Sequence, residues 1–233
     1  MKKIKTFIPA LLIVMGVILI SGCEKLKLQK DFNRSATDTL DAHVGKNAWD
    51  YLKSRAYGSK TDTVFRRMYD AIIYSGIDTN LYMQQNKTYL IYTNAAVTTA
   101  KTGLWATYLT SKKAAAKSFK DYSAADLKNY LLFLILDGQY SHYNLPLTDV
   151  EVKTLAPDGI FDTNFTGFFI PAYTANNPNS TLKIKVLNSS PGNTSDYPLQ
   201  INSTTNVYSS DYLTTNGVIQ VMNTPVSPIY PKQ

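Results

Sequence analysis

The sequence is poor in the residues that most often carry catalysis: it holds one cysteine, Cys23, and two histidines, His43 and His142, among 233 residues. A single cysteine excludes a disulfide within the chain, so the stability of the fold must come from burial of its core. The sequence also lacks a Gly-x-Ser-x-Gly elbow, a His-Glu-x-x-His motif and a phosphate-binding loop. We therefore expect a protein that is not an enzyme and that needs no cofactor.

Clusters of arginine are absent as well. The formal net charge of +7 at pH 7 falls to +4 when the three lysines of the first five residues are left aside. The other cations are scattered apart from the run Lys112–Lys117, which we interpret as a solvated helix face rather than a surface for anionic lipid headgroups. Because the sequence lacks a basic patch of the kind that binds phosphate backbones, it predicts no nucleic-acid partner.

The sequence also has no apolar run of the length that crosses a bilayer, about 20 residues. The longest run, Phe7–Ile20, follows a short cationic stretch and precedes the small residues Ser21 and Gly22. This order of charge, apolar core and small residues is typical of a secretory signal peptide. We predict that residues 1–22 are such a signal and that it is removed.

Cys23 directly follows the predicted signal. The ending Ile-Ser-Gly-Cys resembles the lipobox of bacterial lipoproteins, in which the cysteine comes to carry acyl chains such as palmitate. More than one acyl chain gives stable anchoring, at about 0.8 kcal/mol for each buried methylene. We predict a lipoprotein anchored in the outer membrane, facing the cell surface or, as the alternative, the periplasm.

Residues 23–47 are predicted to form a lipid-bearing tether, because the stretch is polar and lacks apolar periodicity. A flexible linker of this length has an r.m.s. span of about 25 Å. Residues 48–233 are predicted to form one folded domain, since a chain of this length can bury a single sizeable core.

The first part of this domain has the spacing of helices. A first helix is predicted around Trp49–Ala56, where apolar residues recur on one face. A second is predicted from a cap at Thr61 or Asp62 to a terminating Gly76. The further helices are predicted over Thr93–Val97, over 105–120, and from a cap at Ser123 to a point before Gly138.

Short β-branched and aromatic runs predict the strands. One strand precedes most of the helices and the others follow them, which favours an α+β fold with a small mixed sheet. The predicted strands are Thr88–Tyr92, Phe168–Ile170, Leu182–Val186, Leu199–Ile201 and Val218–Met222.

Four segments in series resemble the fasciclin domain, with an order and spacing that cover the chain from Trp49 to Pro228. The domain 48–233 is therefore identified as fasciclin-like, in a lipoprotein of the type common in Bacteroidota. The resemblance implies a non-enzymatic binding or adhesion module. The segments are Tyr69–Gly76, Tyr89–Val97, Asp126–Tyr140 and Asn216–Asn223.

Two positions depart from the family pattern. The pair Phe133-Leu134 stands where family members usually carry Tyr-His, and Gln220 stands where the second signature usually has a histidine. The integrin contact associated with the Tyr-His pair in animal members is therefore not expected here.

Aromatic residues gather in the stretch 141–167, which is longer than the resemblance leads us to expect, and just before it. Tyrosine and phenylalanine can stack on sugar rings or form a protein interface, although core packing is an equal alternative for the phenylalanines. A lone histidine in such a loop is more often a surface residue than a general base. The predicted binding residues are Tyr140, His142, Tyr143, Phe161 and Phe165.

Asp158 and Asp162 lie four residues apart in the same stretch and faintly suggest a cation loop. Their spacing lacks the alternating acidic ligands and the terminal glutamate of a calcium loop. We interpret the segment as an Asx turn and predict no metal site.

The predicted function is that of a cell-envelope lipoprotein acting as a binding or adhesion module for a glycan or a protein at the outer membrane. One alternative is a stoichiometric accessory subunit of an outer-membrane transporter or assembly complex. The other is a carbohydrate-active enzyme, because two carboxylates can cleave a glycosidic bond without any sequence motif.

Overall fold

The computed structural model describes residues 42–107, 116–161, 177–187 and 198–228. Over these ranges the fold is α+β, as the sequence predicts. The described helices, named in chain order, are α1 (Ala48–Tyr57), α2 (Arg66–Ser75), α3 (Asn94–Thr98), α4 (Leu104–Thr107) and α5 (Ala124–Phe133).

The first helix forms where the apolar spacing predicts it. Asn47 caps α1, because its side-chain oxygen accepts a hydrogen bond from the backbone N–H of Asp50 at 2.8 Å. Leu52 and Ala56 are fully buried, and Trp49 packs against the core from the same face. Burial of this face stabilises the helix, which at ten residues would be marginal alone.

Helix α2 ends as predicted but begins later. Gly76 follows it with a φ of 65°, a left-handed conformation that glycine adopts without strain. The prediction of a cap at Thr61 or Asp62 is wrong, since the helix begins at Arg66 with no side-chain cap. Asp62 instead forms an ion pair with the guanidinium of Arg55, with Oδ2 2.6 Å from Nε.

The helix predicted over 105–120 is wrong at its C-terminal end. Residues 108–115 lie outside the described part of the chain. Phe119–Asp121 forms a single 3-10 turn. The Asp121 carboxylate accepts a hydrogen bond from the backbone N–H of Lys117 at 2.8 Å, and such local side-chain bonding competes with a continuing helix.

The cap predicted at Ser123 is confirmed, and Thr93 caps α3 in the same way. The Thr93 hydroxyl accepts from the backbone N–H of Ala96, and that of Ser123 accepts from Asp126, each at 3.4 Å. Helix α5 ends at Phe133, and the chain then enters a strand that the sequence does not predict.

The described strands form two sheets of four. In the first sheet the order is β2-β1-β8-β7, and in the second it is β3-β4-β5-β6. The strands are β1 (Lys87–Tyr92), β2 (Ile135–Asp137), β3 (Val150–Lys153), β4 (Thr181–Val186), β5 (Leu199–Ile201), β6 (Thr205–Asn206), β7 (Ser209–Leu213) and β8 (Gly217–Met222). The strands predicted at 88–92, 182–186, 199–201 and 218–222 are confirmed, and the one predicted at Phe168–Ile170 lies outside the described residues.

Strands β1 and β8 form the centre of the first sheet. They run parallel, from the pair Lys87 and Gly217 to the pair Tyr92 and Met222. A Cβ added to Gly217 would lie 2.1 Å from the carbonyl oxygen of Lys87. Only glycine therefore allows the two strands to approach at this end.

Strand β2 joins the two sheets. It pairs antiparallel with β1, with Ile135 opposite Tyr89. The backbone N–H of Leu155, just after β3, donates to the carbonyl of Ile135 at 2.9 Å. One continuous core of buried apolar side chains includes residues from both sheets and the helices.

The folded domain begins earlier than the predicted boundary at residue 48. The segment Ala42–Lys46 joins the end of β7 through one isolated parallel bridge between His43 and Leu213: Val44 donates to the carbonyl of Leu213 at 3.0 Å, and Leu213 donates to that of Ala42 at 2.9 Å. Residues 42–47, which the sequence assigns to the tether, therefore belong to the fold and cover the edge of the sheet. Within the described ranges, no helix is both long and apolar enough to cross a membrane.

Candidate functional site

The loop Gly138–Leu145, here called the clasped loop, follows β2 and carries three of the predicted binding residues. The backbone at the start of the loop is hydrogen-bonded to the side chain of Thr88 in β1. The Thr88 hydroxyl donates to the carbonyl of Gly138 at 2.8 Å and accepts from the N–H of Tyr140 at 2.8 Å. Gly138 has a φ of 130°, and a Cβ there would lie 2.8 Å from the Tyr140 hydroxyl. Glycine is therefore required where the loop leaves the strand.

His142 joins this loop to strand β7. Its Nδ1 lies 2.7 Å from Oδ2 of Asp211, and its backbone N–H donates to the same oxygen at 3.3 Å. The histidine side chain is 31% exposed and that of Asp211 is 13% exposed. The contact thus combines a ring and a backbone donor on one mostly buried carboxylate.

Gln220 holds the other side of Asp211. Its Nε2 donates to Oδ1 of Asp211 at 2.9 Å and to the carbonyl of Tyr140 at 3.0 Å, and its Oε1 accepts from the N–H of Asp211 at 3.0 Å. Gln220 is fully buried in the middle of β8. Buried amides need such partners, and this one uses them to tie the clasped loop and β7 to the centre of the sheet.

A bulge in β7 places Asp211 over Gln220. The register with β8 shifts between Ser209 and Tyr212, and Asp211 has a positive φ of 61°. Aspartate tolerates this left-handed conformation better than most residues. Bulges redirect side chains out of the regular alternation of a strand, which explains why an acidic residue can turn toward the sheet here.

The electrostatics of the clasp favour an ionised Asp211. Burial by itself raises the pKa of this carboxyl, but the hydrogen bonds from His142 and Gln220 and the charge of protonated His142 together outweigh burial and lower the pKa. The carboxylate is therefore charged at neutral pH and acts as a fixed acceptor between two elements.

The clasped loop is also bonded within itself. Asn144 accepts from the N–H of Ser141 at 2.9 Å and donates to the carbonyl of Gln139 at 2.6 Å. The N–H of Leu145 donates to the carbonyl of Ser141 at 3.0 Å. Such bonding fixes the backbone that presents His142 and Tyr143.

Two tyrosines near the clasp point largely into solvent. Tyr143 is 77% exposed, and Tyr208, which precedes β7, is 65% exposed. Tyr140 differs, since it packs against the core and its hydroxyl donates to the carbonyl of Asp137 at 3.1 Å. Tyr143 thus has the exposure that the prediction of a binding residue requires, whereas Tyr140 mainly supports the loop.

Phe161 does not lie on a surface. It is fully buried, and its ring meets that of Phe133 edge-on, with centroids 5.2 Å apart. Its aromatic bulk is therefore used in the core, so it is unsuited to the predicted role of a binding residue. Phe165 and Cys23 lie outside the described residues.

The positions that depart from the fasciclin pattern are all buried. Phe133 and Leu134 belong to the core at the end of α5, and Gln220 serves the clasp. None of the three is available at the surface to a partner.

Asp158 lies at the surface as one half of an ion pair with Lys153. Across the described ranges, no three or more histidine, cysteine or acidic side chains are grouped so that they could hold a metal ion. Asp162 lies outside these ranges.

Sequence reasoning missed Asp211, Gln220 and Tyr208. Asp211 follows two serines in what reads as a turn, and Gln220 reads as one polar residue in an apolar strand. One amide side chain in an otherwise apolar, buried strand indicates that the amide has a hydrogen-bonding partner, but it does not identify that partner.

No protein-family model matches this chain, and comparison with curated proteins finds no similar sequence. The resemblance to the fasciclin domain thus rests on residues of this chain alone.

Proposed function

We propose that this chain is a lipid-anchored, non-enzymatic binding module of the outer membrane, which contacts a glycan or a protein through the clasped loop and the start of β7. The observation that carries the proposal is the exposed Tyr143 beside a His142–Asp211–Gln220 clasp that fixes the loop. Exposed aromatic residues on a bonded backbone are typical of binding surfaces.

The clasp favours binding because it orders the loop before any ligand arrives. Ordering a loop on binding costs about 0.5–1.5 kcal/mol for each immobilised side chain. Here the hydrogen bonds to Thr88, Asp211 and Gln220 have already fixed the backbone around Tyr143. A ligand would therefore meet a surface that is organised in advance.

The proposed anchor suits this role. Cys23 would carry the acyl chains, and the fold begins at Ala42, where the chain joins the edge of β7. The lipid holds the domain at a membrane, and the predicted tether between them gives it reach. Loss of the lipid through Cys23→Ala is expected to release the protein from washed membranes into the soluble fraction, with fractionation and palmitate labelling as the measurements.

The fasciclin-like assignment is part of the same proposal. The two segments that resemble the family signatures, Tyr89–Val97 and Asn216–Asn223, include most of β1 and all of β8, which pair side by side. This adjacency supports a common structural role for the two segments.

Purification of the full chain from native membranes tests the proposed function. We expect a ligand or partner that co-purifies with the wild type and is reduced by Tyr143→Ala, because that ring is exposed and adjoins the clasp. Tyr57→Ala is the matched control, since Tyr57 is 50% exposed but lies at the end of α1. A stoichiometric barrel partner that both variants retain would instead favour the accessory-subunit alternative.

A further inference from the structure

We propose that the ligand of the clasped-loop site is a carbohydrate, with Tyr143 and Tyr208 as stacking surfaces and the Asp211 carboxylate as an acceptor for a sugar hydroxyl. The inference rests on the proposed function, because it names the ligand class of the same site.

The two exposed tyrosines lie near the clasp residues along the chain. Tyr143 is the chain neighbour of His142, and Tyr208 precedes Asp211 by three residues, a separation of at most about 11 Å between Cα atoms. With exposures of 77% and 65%, both residues are largely accessible to solvent. The ring of a tyrosine offers an apolar face together with a hydroxyl that can bond.

The carboxylate supplies the polar half of the site. Among the residues that the structure describes, three donor contacts reach Asp211: two from His142 on Oδ2 and one from Gln220 on Oδ1. An ionised carboxylate has about four acceptor positions. The Asp211 side chain is 13% exposed, so it is in part open to solvent, and in the proposed site a sugar hydroxyl takes the remaining acceptor position.

This combination fits a sugar better than a protein. A sugar ring has an apolar C–H face and a rim of hydroxyls, so it can stack on an aromatic ring while polar groups beside that ring bond its hydroxyls. A stable protein interface buries about 800 Å² on each partner around a contiguous apolar centre. Here Tyr143 and Tyr208 stand on separate elements, and the polar clasp of His142 and Asp211 lies between those elements.

An array of immobilised neutral and acidic oligosaccharides tests the inference, probed with the mature lipidated chain in detergent micelles. We expect binding to one class of oligosaccharide, weakened at least about tenfold by Tyr143→Ala and by Tyr208→Ala, as for truncation of a binding hot spot. Tyr143→Trp keeps a stacking ring and is expected to retain binding, and Tyr57→Ala is expected to leave it unchanged.

Two results would overturn the carbohydrate inference: no oligosaccharide bound, or binding that Tyr143→Ala and Tyr208→Ala leave intact. The purification from native membranes then separates the two proposals. If a protein co-purifies with the wild type and not with Tyr143→Ala, the proposed binding function is supported and its ligand is a protein. If Tyr143→Ala loses nothing there either, the proposed function fails together with the carbohydrate.

Discussion

Replacing Asp211 with asparagine is expected to loosen the clasped loop although it changes only one atom of the side chain. The two carboxylate oxygens accept from opposite sides, Oδ2 from His142 and Oδ1 from Gln220. An asparagine amide has one acceptor oxygen and one NH₂ group. With the NH₂ group toward Gln220, the Nε2 donor of Gln220 faces an N–H group. With the NH₂ group toward His142, the ring can accept at Nδ1 by changing tautomer, but the backbone N–H of His142 still faces an N–H group.

Gln220 cannot turn over to relieve this conflict. Its Nε2 also donates to the carbonyl of Tyr140, and its Oε1 accepts from the N–H of Asp211. A flip of the amide would place like groups together at both contacts. The burial of Gln220 also keeps water from supplying a replacement partner.

The cost follows from these contacts. A buried donor left without a partner costs about 1–3 kcal/mol, and a hydrogen bond that loses its charge weakens by roughly 1 kcal/mol. The 31% exposure of the His142 side chain lets water offset part of the loss on that side. We expect Asp211→Asn to lower the free energy of unfolding by about 2 kcal/mol.

Urea unfolding followed by circular dichroism measures this difference as a lower midpoint at an unchanged slope. Asp137→Asn is the matched control, because Asp137 pairs with Lys87 at 2.7 Å but is 56% exposed. Exposed ion pairs contribute about 0–1 kcal/mol. If the two variants lose equal stability, the clasp does not hold the loop and the reasoning above is refuted.

Three further outcomes follow from single contacts. Gly217→Ala should destabilise the fold by at least about 2 kcal/mol in thermal unfolding, because its Cβ would strike the carbonyl of Lys87; a stability equal to that of the wild type would contradict the β1–β8 approach. Phe161→Ala should cost about 3–5 kcal/mol in the same assay, because the ring is fully buried against Phe133, and loss of ligand without loss of stability would argue against a core role. The lowered pKa of Asp211 gives stability that is present above its unfolded pKa of about 3.9 and is lost as the pH falls through the folded value. The difference in unfolding free energy between wild type and Asp211→Asn should therefore shrink below about pH 4. If urea titrations in acid show that this difference stays constant, the lowered pKa of Asp211 is refuted.

Several features of this fold could be predicted from the sequence because neighbouring residues decide them. Ser123 and Thr93 cap helices through N–H groups three residues away, and Gly76 ends α2 through its own backbone freedom. Strands β1 and β8 are recognisable as short apolar runs next to turn residues. The signal peptide and Cys23 are likewise sequence predictions, since they depend on the order of residues along the chain and on no tertiary contact.

Other features depend on residues far apart in the chain. Ile135–Asp137 continues the apolar run of α5, and such a run does not distinguish helix from strand; pairing with β1 makes it a strand. Asp62 reads as a helix cap, but Arg55 across a turn binds it instead. Ala42 reads as tether, but it lies on the edge of β7.

The candidate site also combines features that neighbouring residues decide with features that depend on distant residues. The sequence by itself determined that Tyr143 and His142 lie together in an aromatic loop, because they are neighbours in the chain. Only the tertiary structure decided that His142 binds Asp211, which is 69 residues away in the chain, and that Phe161 belongs to the core. The physical reason is that a bulge in β7 and the buried amide of Gln220 set the geometry of the clasp, and both depend on the pairing of strands that the local sequence does not specify.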